Sequence, residues 1–150
     1  MNIDYVRSRR AKIYDHLNKN PLSIDKDILT ALGVKQKGGK FDRHIYFLRK
    51  ANIIKNHSPI PKNGPNAWSL CPLREYEKSA LEVTEKDLPV LEAIIDMPGI
   101  TDGQLIAHLQ RHRTSLRASI THLIGSRYIA EVVVQIRANW EYYPKIKFPE

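Results

Sequence analysis

Residues 98–129 read PGITDGQLIAHLQRHRTSLRASITHLIGSRYI, and residues 21–54 read PLSIDKDILTALGVKQKGGKFDRHIYFLRKANII. Pro21, Asp25, Ile28 and Leu32 recur 77 residues later as Pro98, Asp102, Leu105 and Leu109. After a two-residue deletion the offset becomes 75, and Phe41, Ile45, Leu48, Ile53 and Ile54 align with Leu116, Ile120, Leu123, Tyr128 and Ile129. Nine matched positions with one small gap mark an internal duplication, which has to be read before anything else in the chain.

Both copies carry the same periodicities. Val6, Ile13 and Leu17 share one face of a first helix, as do Leu88, Leu91, Ile94 and Ile95 after Thr84 or Asp87 as caps, with Pro89 near the start. Asn20-Pro21 and Met97-Pro98-Gly99 break these helices. Ile28, Leu29 and Leu32 form a short second helix closed by Gly33; its counterpart holds Leu105, Ile106 and Leu109 behind a Thr101/Gln104 capping box. A third helix is expected from about Gly39 to Ala51 and from about Arg113 to Gly125, its core face carrying Phe41, Ile45 and Leu48, or Leu116, Ile120 and Leu123. Hairpins follow, Ile53–His57 with Ala67–Cys71 and Ile129–Ile136 with Trp140–Ile146. The hairpin aromatics Trp68, Trp140, Tyr142 and Tyr143, like Tyr14 and Phe41, are expected in the core rather than stacked on bases.

Three helices and a two-stranded hairpin, twice, make a winged helix-turn-helix pair. The fold class expected is mainly α with small β-hairpins (α+β), with one unit over residues 1–71, a connector over 72–83 and a second unit over 84–150. The run Leu105 to Leu123 with Tyr128-Ile129 resembles the helix-turn-helix core of MarR- and ArsR-type bacterial regulators, and Leu32-Gly33-Val34 is similar to the turn of that family, although residues 35–40 make the first copy two residues longer. The resemblance implies a recognition helix that enters the major groove of duplex DNA.

Composition agrees with such a partner. The 150 residues include 24 Lys and Arg against 16 Asp and Glu, a net charge of +8, and the isoelectric point is near 9.6; a chain this basic is suited to polyanions. The charge is uneven: residues 1–75 carry +9, residues 76–102 carry −5 and residues 103–150 carry +4. Cys71 is the one cysteine, so no disulfide framework points to secretion. Residues 1–20 carry charge throughout and no apolar run of secretory type, and no stretch is long enough to span a bilayer. A cytoplasmic, nucleoid-associated monomer or homodimer is expected.

The residues expected on DNA follow from the third helices and the wings. In the first copy they are Lys37, Gly38, Gly39, Lys40, Arg43 and His44, read as a phosphate clamp, with His57 and Lys62 in the long wing. In the second they are His112, Arg113, Thr114, Ser115, Arg117 and Ser119, with Arg137 in the wing and Arg113 or Arg117 placed to take guanine O6/N7. No cofactor or metal is expected: His108 and His112 lie four apart without the zincin glutamate, and no second cysteine joins Cys71. Neither a Walker loop, a Gly-x-Gly-x-x-Gly nor an apolar carboxylate pair supports an enzyme. The expected function is sequence-specific binding of double-stranded DNA by a transcriptional regulator of bacterial, phage or plasmid type. Two alternatives stand beside it, a protein-interaction module that meets its partner through the acidic 76–102 stretch and the second unit, and a plasmid or phage replication initiator.

Overall fold

The computed structural model describes residues 8–34, 39–57, 67–75, 83–133 and 140–147. The chain divides into two compact units, one comprising Arg7–Cys71 and the other built on Pro72–Glu150. Each is α+β, and the second repeats the six elements of the first in the same order, with one short strand added before them and one after.

In the first unit, Ser8 caps helix α1 (Arg9–Lys19) by accepting a hydrogen bond from Ala11 N at 3.1 Å. Spacing then decides what α1 buries: Ala11, Ile13, Tyr14 and Leu17 fall on one face and are 5% exposed or less. The chain turns through Leu22 at φ +64° into strand β1 (Ser23–Ile24), and helix α2 (Asp25–Leu32) ends at Gly33 in the left-handed region, φ +72°, as its glycine predicts. Helix α3 (Gly39–Lys50) lays Phe41, Ile45 and Leu48 on the core, and strands β2 (Ile54–Asn56) and β3 (Ala67–Leu70) return as an antiparallel hairpin. The sequence pattern missed the third strand. Two residues of β1 pair with β3, Ser23 opposite Trp68, so the sheet order is β1-β3-β2.

The second unit opens with strand β4 (Arg74–Glu75), inside the stretch 72–83 expected as a connector. Helix α4 (Leu88–Asp96) precedes strand β5 (Ile100–Thr101) and helix α5 (Asp102–Leu109), whose Thr101/Gln104 capping box is present on both sides: Gln104 N donates to Thr101 Oγ1 at 3.3 Å and Thr101 N to Gln104 Oε1 at 2.9 Å. Helix α6 (Arg113–Gly125) and strands β6 (Ile129–Val133) and β7 (Trp140–Pro144) complete the frame, in sheet order β5-β7-β6. Strand β8 (Ile146–Lys147) pairs in parallel with β4, Arg74 opposite Ile146. Val90, Leu91, Ile94, Ile100, Leu105, Leu116, Ile120 and Tyr142 are fully buried in one cluster. Each such side chain contributes about 1.5–3 kcal/mol by leaving water.

The duplication extends to the backbone. Leu22, Gly33 and Asn52 have positive φ in the first unit; Gly99, Gln110 and Arg127, which follow them by 77, 77 and 75 residues, have it in the second. Side chains on the first strand to leave the hairpin loop keep the same duty too. The Trp68 indole N–H donates to Asp25 Oδ1 at 2.7 Å, and the Tyr142 hydroxyl donates to Asp102 Oδ1. In each unit an aspartate opening the second helix is thus tied to an aromatic on the middle strand. Among the described residues no helix is long and apolar enough to cross a membrane.

Candidate nucleic-acid interface

A helix that buries one stripe exposes the opposite one. With Phe41, Ile45 and Leu48 inward, the outermost ridge of α3 falls on positions 39, 43, 46 and 50, and Arg43, Tyr46 and Lys50 are exposed there. Lys40 and Arg49 are exposed beside them, and Asp42 is the one acid of this helix. Arg49 lies over the Trp68 ring, 5.9 Å from its centroid, and Lys50 Nζ lies 5.8 Å from the Tyr46 centroid.

The same construction in α6 sets Thr114, Ala118, Thr121 and Gly125 on the outer ridge, each 75 residues after its counterpart and all exposed. This ridge is uncharged. Arg113 stands exposed to its side, and His112 caps the helix, its Nδ1 accepting from Thr114 N at 3.2 Å. The helix contains no acid.

Two residues expected to face outward do not. Ser119 is 3% exposed, because it completes the inward stripe Leu116, Ser119, Ile120 and Leu123. His44 is half-buried at the edge of the α3 core face, where Arg10 Nη1 donates to its Nδ1 at 2.8 Å. Arg117 is 42% exposed but engaged: Nη1 donates to the Tyr142 hydroxyl at 2.8 Å and lies 3.9 Å from Asp102 Oδ2. Burial, then the hydrogen bond to Asp102 and its charge, push the Tyr142 phenol far above its ordinary range. It stays a neutral donor to that carboxylate. Burial also raises Glu131, against the charge of Arg117 and with that of Asp102. Ser115 is exposed, and its hydroxyl accepts from Arg111. Gly39 opens α3, and His57 is exposed at the end of the first hairpin strand. Lys37, Gly38, Lys62 and Arg137 lie outside the described residues.

Sequence reasoning missed Arg111, which precedes the cap of α6. Its guanidinium donates to Lys86 O at 2.7 Å, Ser115 Oγ at 2.7 Å, Ser115 O at 3.0 Å and Ser119 Oγ at 3.0 Å. It fixes the turn before α4 against the start of α6, across a surface cleft of about 520 Å³ lined also by Lys86, His112 and His122. Asp87 forms the polar floor of this contact. Thr84 Oγ1 accepts from Asp87 N at 3.3 Å, so the threonine does the local capping and leaves the carboxylate for the His122 ring.

Burial alone would raise the Asp87 carboxyl, but hydrogen bonds from His122, Ser119 and Thr84 and the charge of His122 outweigh it and hold it below the usual aspartate range. A depressed folded pKa stabilises the fold above the unfolded value, about 3.9, and the contribution is lost as pH falls through the folded one. The 72–150 unit should therefore unfold at progressively lower urea as pH falls below about 4. Asp87→Asn should flatten that part of the profile; an unchanged acid limb would show that Asp87 is not its source.

No known family model matches this chain, and no curated protein is similar to it at a significant level.

Proposed function

We propose that the chain is a tandem winged helix-turn-helix protein that binds double-stranded DNA sequence-specifically, as a transcriptional regulator of bacterial, phage or plasmid type acting in the cytoplasm. One observation carries the reading. The same frame occurs twice, and each time it turns outward a third helix whose exposed side is basic or neutral, with Asp42 the lone acid on the two. A convex helix of this charge fits the width of a major groove and the potential of its phosphates. Lys40, Arg49 and Arg113 would meet the backbone, while α3 and α6 pack against the strands that follow them, β2 and β6. The neutral ridge of α6 favours a second reading for that unit alone, in which it meets a protein partner while α3 holds DNA.

Fluorescence anisotropy on labelled duplex DNA at increasing salt tests the proposal. Log affinity should fall linearly with log salt, at about −0.9 per phosphate contacted. A slope near zero, or no binding at low salt, would remove DNA as the ligand.

A further inference from the structure

We propose that the base sequence is read by the first unit rather than the second, with Tyr46 as the specificity-determining side chain, set between Arg43 and Lys50 and making contact with a thymine edge in the major groove. This rests on the DNA-binding reading and divides its labour between the two helices.

The two third helices share one geometry, so their outer ridges can be compared position by position. Arg43, Tyr46 and Lys50 on α3 correspond to Ala118, Thr121 and Gly125 on α6. Side chains on the first ridge reach several ångströms beyond the helix; those on the second barely leave it. Of the two α6 arginines, Arg117 is engaged by Tyr142 and Asp102, and Arg113, at the first position of the helix, stands beside the outer ridge rather than on it. Tyr46 is 55% exposed and, with Leu22, is one of the large apolar side chains left in water among the described residues. A solitary exposed apolar residue needs no special explanation in general. This one stands at the centre of the outermost ridge, one helical turn from Arg43 on one side and Lys50 on the other, with the Lys50 ammonium against its ring. A ring between two cations on a convex surface suits a groove floored by base edges and walled by phosphate. The apolar face meets the thymine methyl, the hydroxyl stays wet, and the cations meet the walls. A single-stranded ligand would call for a concave track with successive aromatics, which one tyrosine on a ridge does not make.

The test uses the full chain. A preferred duplex is selected from random sequences, and anisotropy then compares it with a scrambled duplex for the parent, Tyr46→Ala, Tyr46→Phe and Thr121→Ala. Tyr46→Ala should lose about 5- to 150-fold on the selected duplex, the range for losing recognition of one base pair, and less than about twofold on the scrambled one. Tyr46→Phe and Thr121→Ala should retain most of the preference. Replacing thymidines of the selected site by 2′-deoxyuridine should weaken the parent and leave Tyr46→Ala unaffected at the contacted base. Equal losses on both duplexes, no effect of the missing methyl, or a larger loss on single strands than on duplex would overturn the assignment. Should Tyr46→Ala shift the unfolding midpoint, the Tyr46→Phe and deoxyuridine arms still decide. If the parent binds duplex DNA in a salt-dependent way and Tyr46 is indifferent, only this inference fails; if it binds no duplex, the DNA reading fails with it.

Discussion

Leu116→Ala is expected to unfold the 72–150 unit at room temperature while the 7–71 unit stays folded. Leu116 is fully buried on the inward stripe of α6, within the cluster that joins α4, α5 and the β6–β7 hairpin. Truncating such a leucine costs about 2–5 kcal/mol in lost transfer energy and cavity, while a unit of this size keeps roughly 3–5 kcal/mol of net stability once chain entropy is set against burial. The loss is therefore comparable with the whole stability of the unit. The two tryptophans make the outcome separable, since Trp68 is buried in the first unit and Trp140 is half-buried in the second. In urea the Trp140 signal of the variant should be that of unfolded chain from the start, and Trp68, isolated by Trp140→Phe, should keep its parental midpoint. Loss of both signals together would mean that the two units do not fold independently.

Lys40, Arg43 and Lys50 changed together to alanine should produce the other large effect, on DNA of any sequence. Three lost phosphate contacts make the salt slope less negative by about 2.7, so a fourfold rise in salt would cost the triple variant about fortyfold less affinity than it costs the parent. Lys19→Ala is the control, because that ammonium is paired with Asp15 at 3.2 Å on α1. A triple variant with the parental slope would assign the phosphate contacts elsewhere and leave α3 without its clamp.

The repeat, the six helices and their order were legible in the sequence because apolar spacing and turn chemistry agree there. Arg113 and Gly125 bound α6 as expected, Gly33 closes α2 and Thr101 opens α5. Strands β1, β4 and β5 were not legible, and the return strand expected to reach Ile146 ends at Pro144, with Ile146–Lys147 pairing with β4 as β8. Each of these short strands has two residues, too few to show an alternation, and each exists only through a partner far along the chain. Polar residues at the margin of a helical face were misjudged for a related reason. Ser119 and His44 look solvent-facing by residue type, yet their helical positions turn them toward Asp87 and Arg10, which only the packing of the first helix supplies. The exposed ridges follow from periodicity alone, but nothing in the apolar pattern marks Tyr46, since residue type does not say whether an aromatic turns inward. Arg111 gave no signal in advance, since its partners are mostly backbone carbonyls and hydroxyls that any sequence offers.

The ladder between Arg74–Glu75 and Ile146–Lys147 seats the entrance of the second unit next to its exit, one strand spacing apart, about 4.8 Å. Because the two strands run in parallel, the exit leaves in the direction in which the entrance is heading, and a linker that closes this unit into a circular permutant has to run back along the ladder, with about a dozen residues rather than a tight turn. Excision has to respect the seam, because a cut at Thr84 discards the edge strand that fastens the exit, whereas a cut between Cys71 and Pro72 carries it along.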